Sequence, residues 1–264
     1  MKKLTNKQKS VAATIAAIIA GSVTPLVVTQ MSPLPDYVNP HYAGAPASTN
    51  HWIYLTNRTY TVAYDPDTRN PAWVAYKVEW GGGGAAPKRP GKFKEDKRLP
   101  SPVSHKDYTN SGYDRGHMAP SYAIGVRYGK GGQRETFLMS NVIPQTPGLN
   151  QGPWRLLEEH VAKNWANEAP VWVVTGPLYD DAPDVIGPGI EVPDACWKVF
   201  IQKYSSNAPP RAVAFIIPQR VLRNDPYTDF VTSVDEVERR TGIDFFSELE
   251  DDSERIIEAG DTLW

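Results

Sequence analysis

Apolar residues in this chain follow two different periods, and the change from one to the other marks its organisation. Short runs near 58–64, 72–79, 170–176, 196–204 and 211–217 are rich in Val, Ile, Tyr and Trp and are bounded by turn residues. Such runs predict strands. The run 136–142 has the same character and ends before Pro144, which marks a loop, so it predicts a sixth strand. Trp154, Leu157, Val161 and Trp165 recur instead at helical spacing. They predict a helix over 153–167 that opens at Pro153, a residue suited to the first turn. A second helix is predicted over 233–240, beginning after Ser233. Together these elements describe an α+β domain with a mostly antiparallel central sheet flanked by helices.

The N-terminus departs from both periods. Lys2, Lys3, Lys7 and Lys9 precede a charge-free stretch, Ser10 to Pro35, that is apolar mainly from Val11 to Val28. A basic flank followed by an apolar run is an export signal. The apolar run has about 18 residues, the lower limit for crossing a bilayer, and Gly21, Ser22, Thr24 and Pro25 interrupt it. No small-x-small cleavage site follows it closely. Residues 1–35 are therefore expected to act as a signal peptide or a membrane anchor, with the lysines inside. Residues 36–56 are then a linker and 57–264 the domain, exported to the periplasm or the cell exterior.

Composition changes the picture in three places. Glycine and proline are scattered as turn punctuation, except at Gly81–Gly84, which predicts a mobile loop. Cys196 is the only cysteine, so no internal disulfide can form; its alternating surroundings predict a small buried apolar residue. With the four N-terminal lysines set aside, 24 basic side chains face 30 acidic ones over residues 36–264. A domain that acidic is no general DNA coat, but Lys88, Arg89, Lys92, Lys94, Lys97 and Arg98 concentrate positive charge locally. Such a patch either tracks phosphates or forms a solvated loop. The acidic stretch Glu248–Glu258 predicts a surface feature turned away from it.

Candidate chemistry lies in Asp114-Arg115-Gly116-His117, a carboxylate, a guanidinium, a flexible position and an imidazole in succession. The imidazole can take a proton from water near neutral pH. The guanidinium matches phosphate oxygens, and glycine permits close approach to a ligand. Downstream, Asn150 sits near the start of the helix that carries Glu158. A strand bearing His117, a second strand and this helix make a ββα unit. Each residue also has a plainer role available. Asn150 can cap the helix, Glu158 and Glu159 can form a solvated face, and Asn141 can satisfy backbone at a strand end. Asp114 suits holding the loop or its arginine, while His41, His51, His105 and His160 suit structure or surface.

The stretch Asp114–Pro120, followed by Leu138–Gln145 and Leu149–Glu158, resembles the DNA/RNA non-specific endonuclease family. Trp73–Lys77, Asp107–Tyr113, Val174–Tyr179, Trp197–Val199 and Val237–Gly242 follow the family's order, so the resemblance covers about 57–247. It implies a ββα-metal (His-Me finger) nuclease fold and cleavage of DNA and RNA to 5′-phosphate products. By the same resemblance His117 is the general base and Asn150 the single protein ligand of magnesium, for which manganese can substitute. Arg115 clamps the phosphate, Asn141 orients substrate or a metal-bound water, and Glu158 holds the hydrated ion. The family's upstream arginine corresponds to Arg89, four residues before Phe93, with Lys92 placed to share its charge. Two other functions use the same residues: a catalytically silent nucleic-acid- or partner-binding protein, and a hydrolase of small phosphodiesters. Homodimer formation, an inhibitor partner and membrane attachment through residues 1–35 are left open.

Overall fold

The computed structural model describes residues 37–81, 85–180, 182–205 and 208–263. The expected export segment and three residues of the glycine run, 82–84, lie outside this set. Strands β1 (Ile53–Thr56), β2 (Tyr60–Asp65) and β3 (Asn70–Val78) pair antiparallel in succession. The chain then leaves the sheet to form the separate antiparallel pair β4 (Asp114–His117) and β5 (Val142–Gln145). It returns as β6 (Val171–Leu178) beside β3, makes a small hairpin of β7 (Val185–Ile186) and β8 (Ile190–Glu191), and continues with β9 (Ala195–Gln202), β10 (Arg211–Pro218) and β11 (Val231–Thr232). The large sheet thus has the order β1-β2-β3-β6-β9-β10-β11. Everything that will form the cleft is an insertion between β3 and β6.

Side-chain alternation sorts the sheet into two buried faces. On β9, Cys196 and Phe200 join one apolar cluster, while Trp197, Val199 and Ile201 join another. The first face is covered by the insertion. Its helices are α1 (Ser121–Glu135), α2 (Pro147–Gln151) and α3 (Pro153–His160), the last running on through a π turn at Val161–Trp165 to Glu168. The helical stripe Trp154, Leu157, Val161 and Trp165 is buried there, with Trp165 edge-on to Phe200 at 5.4 Å. The second face is covered by α4 (Val234–Thr241) and α5 (Asp251–Glu258) through Val234, Val237 and Ile257, joined by Phe245 and Phe246.

Three expectations need correction. The run 136–142 is not a strand: Met139–Asn141 form a 3-10 turn, and β5 begins only at Val142. The backbone at 137–139 is bonded to Lys94 instead, through Lys94 N to Phe137 O at 2.9 Å and Met139 N to Lys94 O at 2.8 Å. Pro144 is accommodated inside β5 because a two-stranded pair leaves one edge free of ladder bonds. Residues 36–56 are not a linker. Within them Ile53–Thr56 form β1, and Ala47 exchanges backbone bonds of 2.8 and 2.9 Å with Asp244. The acidic tail turns away from the insertion as expected, yet it is helical and buries Ile257 and Glu258. Helix α1 was hidden by four glycines, weak helix formers, of which Gly129 interrupts it at a φ of 73°.

Gly116 is required by packing within the protein. It lies opposite Ile143 on β5, and a Cβ there would collide with the buried side chain of Gln145. Gln145 cannot swing aside freely, since its Nε2 is 3.5 Å from Cys196 Sγ under the sheet. Gly116→Ala is therefore expected to destabilise the fold by about 1–3 kcal/mol in denaturant unfolding. Unchanged stability would contradict this packing.

Candidate active site

The backbone after His117 is held by one buried amide. Asn141, with no exposed surface, accepts from Ala119 N at 2.8 Å and donates to Ala119 O at 3.0 Å and Thr136 O at 2.9 Å. Its own carbonyl accepts from Met118 N at 3.0 Å. The Asn141 amide is thus engaged by backbone, and the residue lies behind the cleft rather than among those that line it. Beside it, Ser140 Oγ donates to Asp96 at 2.6 Å, and Arg98 binds the same carboxylate at 2.6 Å. Burial alone would raise the Asp96 pKa, but hydrogen bonds from Arg98 and Ser140 outweigh it and hold the carboxyl below its ordinary value. Arg98 also donates to Thr56 O at 2.9 Å. It therefore serves as a strut, although it is exposed like Lys88, Arg89, Lys92, Lys94 and Lys97.

That strut fastens the segment 93–98 against the 3-10 turn and so sets the wall around His117. The imidazole packs between Phe93 and Phe137, with ring centroids 5.1 and 5.0 Å away. Its Nε2 is sealed from solvent and has no hydrogen-bond partner among the described residues. Burial, followed by the positive charge of Arg89, pushes the His117 pKa down to about 3. The ring is therefore a neutral imidazole near neutral pH, the form that can accept a proton. Arg89 is exposed, with its guanidinium 5.3 Å from the Phe137 ring centroid. Arg115 is fixed through Nε to His105 O at 3.1 Å and lies 5.6 Å from the Tyr108 ring centroid. His105, expected to be structural, orients this arginine through its carbonyl.

Across the cleft, Asp114 accepts from Asn150 Nδ2 and Gln151 Nε2, each at 2.9 Å. Asn150 lies within α2, which is capped by Thr146, so it does not serve as the helix cap considered from the sequence. The bond to Asp114 fixes the amide by its nitrogen and leaves the oxygen as the end available to a cation. Glu158 on α3 is not part of a solvated face either. Its carboxylate is 3.1 Å from Lys198 Nζ, and Lys198 has no exposed side-chain surface. Burial raises the Glu158 pKa against the opposing pull of Lys198, and lowers that of Lys198 against the pull of Glu158. The ammonium also sits 4.0 Å from the Trp154 ring centroid. Glu159 is the solvent-facing partner, bridging Arg155 at 2.6 Å and Lys163 at 2.9 Å.

Arg89, Arg115, His117, Asn150 and Glu158 line one cleft of about 400 Å³. Five of the six expected site residues thus converge, and Asn141 supports them from behind. An amide oxygen and a partly buried carboxylate are hard donors of the kind magnesium takes when it keeps most of its waters, so the cleft fits that ion. Sequence reasoning missed Lys198. Its one signal was a lone charge inside the apolar run Cys196–Ile201.

The low pKa of His117 has a measurable consequence. The unfolded chain takes up this proton near pH 6.5 and the folded protein near pH 3, so between these values the unfolded state binds more protons. Stability contributed by this site is present above about pH 6.5 and is lost as pH falls towards 3. In an NMR titration the His117 ring is expected to stay neutral well below pH 6.5, and a midpoint at or above 6.5 would contradict the environment described.

Known proteins that resemble this chain are named as nucleases. Residues 41–252 match the model of the family described as DNA/RNA non-specific endonuclease. A mitochondrial nuclease, EXOG, of Xenopus laevis is 29% identical over 246 residues, an alignment covering 87% of this chain. The chain spans 66% of that protein's length. A nuclease of Nostoc sp. is 29% identical over 267 residues, covering 94% of this chain and 96% of its own. The crystal structure of the EndoG/EndoGI complex, which describes EndoG inhibition, contains a chain that superposes with a TM-score of 0.68. That chain is 30% identical, with 75% of this chain and 86% of that one covered. The α+β fold with its ββα-metal unit is the one expected, and by the extent of these matches the chain belongs to the DNA/RNA non-specific endonuclease family.

Proposed function

We propose that this protein is a magnesium-dependent endonuclease that hydrolyses phosphodiester bonds in DNA and RNA, leaving 5′-phosphates. The observation that carries this reading is the shared cleft, where a neutral imidazole and two guanidinium groups face an amide suited to a hard cation. His117 is the general base. With Nε2 buried, Nδ1 is the nitrogen that accepts a proton from the attacking water. Arg115, pinned by His105, is preorganised to stabilise charge that develops on the phosphate, and Arg89 adds to it from the rim. Asn150 would hold magnesium through its amide oxygen, and Glu158, steadied by Lys198, would hold the hydrated ion. The ion would supply positive charge against the leaving 3′ oxygen.

The exposed lysines at 88, 92, 94 and 97 offer charge to a phosphate backbone of any sequence, which fits a sugar-non-specific substrate. Export, with residues 1–35 as signal or anchor, goes with this proposal. Among the described residues, no helix is long and apolar enough to cross a membrane.

The purified protein is expected to nick supercoiled plasmid and degrade RNA with magnesium and to stop on addition of a chelator. His117→Ala should lower the rate by about 10²–10⁴-fold while circular dichroism stays unchanged. A folded wild type that cleaves nothing with any divalent metal would favour the silent binding protein, and one that cleaves only a small model diester would favour the small-substrate hydrolase. In pH–rate profiles Arg89→Ala should move the acid limb upward, because one of the two causes lowering the His117 pKa is removed. A limb that moves downward would contradict that electrostatic role.

A further inference from the structure

A group of carboxylates on the opposite side of the large sheet has no part in the chemistry above. Asp235 and Glu238 lie about one turn apart on α4, and Glu258 closes α5. One oxygen from each lies within 4.8 Å of the others. Asp235 is exposed, Glu238 half-buried, and Glu258 only 6% exposed. Although sealed from solvent, Glu258 Oε1 has no hydrogen-bond partner among the described residues, and neither has Oε1 of the neighbouring Glu254. Glu238 uses Oε1 to accept from Phe245 N at 2.7 Å, which leaves its other oxygen uncommitted.

Protein charge does not compensate this cluster. The charged groups that act on Glu258 are all carboxylates: Glu238, Glu254, Asp235 and Asp244. Arg239 on α4 is paired with Glu236 at 2.6 Å, and Arg255 on α5 with Asp252 at 3.1 Å. A cation held between the three oxygens would offset the cost of burying Glu258 in its ionised form. Ligand number selects among cations. Magnesium keeps several waters and is bound through one or two carboxylates, whereas calcium takes about six to eight oxygen ligands in a flexible geometry. Three carboxylates with an open side for water match calcium. The open side at Asp235 gives an ion access and leaves room for water ligands.

We infer that Asp235, Glu238 and Glu258 form a calcium-binding site, distinct from the cleft, that clamps the C-terminal helix α5 to α4. The chain's one cysteine is buried in β9, so no disulfide secures this helix. The cation would do so by joining carboxylates from both helices on the second face of the sheet.

The test uses calcium chloride as probe and the full chain carrying Asn150→Ala, which removes the cleft's proposed metal ligand. Calcium is expected to raise the Tm of this protein by several degrees and to bind with one-to-one stoichiometry in calorimetry. Adding Glu258→Gln, which keeps the shape of the side chain, should abolish both effects; so should Asp235→Asn, an exposed change that leaves packing intact. In chelator both variants should melt no lower than their parent, because each removes a charge from a crowded cluster. Calcium binding that persists unchanged in the two variants, or no calcium response in the Asn150→Ala parent, would overturn the site. Neither result would bear on the nuclease reading, which is tested with magnesium and His117→Ala.

Discussion

The placement of His117 depends on the buried amide of Asn141. The pair β4–β5 is only four residues long on each side, too short a ladder to hold a site rigidly without other support. Asn141 adds three hydrogen bonds from one side chain, two of them to Ala119, and so fixes the chain as it leaves His117. Removing a partner from such a group leaves buried backbone unsatisfied, at about 1–3 kcal/mol for each donor or acceptor. Asp96 extends the bracket to Ser140 and Arg98, and Arg98 carries it to the backbone of β1. The His117 loop is thereby referred to the large sheet through polar contacts in which the principal groups are paired.

The other half of the cleft is referred to the same sheet by different means. Helix α3 buries its apolar stripe against the first face, while Lys198 reaches from β9 over the Trp154 ring to Glu158. Asp114, the first residue of β4, ties Asn150 and Gln151 back to the strand that also carries His117. Base and metal-ligand candidates are therefore linked both directly and through the sheet. The electrostatics follow the same division. Burial keeps His117 neutral, Arg89 and Arg115 supply positive charge at the cleft, and much of the acidic excess lies on helices of the second face.

Strands β2, β3, β6, β9 and β10 and helices α3 and α4 could be read from hydrophobic period, because each buries a regular stripe. The five cleft residues could be named because the stretches that hold them resemble the family's, and the structure brings them to one cleft. What could not be read depended on tertiary partners. Asn141 has the same chemistry whether its amide meets substrate or backbone, and only burial distinguishes the two. The apolar run 136–142 looked like a strand, but Lys94 claims its backbone before β4 can. Arg98 looked like part of a charged patch until Asp96 was seen to hold it. Residues 37–56 carry too little periodic signal to reveal that β1 belongs to the sheet. Glu258 sat in what looked like a solvated acidic tail, and only the docking of α5 against the sheet buries it.

A crystal structure of the wild-type protein soaked with manganese would test the central claim most directly, through an anomalous-difference map. The account predicts a peak in the cleft at about 2.0–2.3 Å from Asn150 Oδ1, with Asp114 still bonded to the amide nitrogen and Glu158 close enough to accept from the ion's waters. A peak coordinated by the Asp114 carboxylate, or no peak in the cleft at saturating manganese, would contradict it.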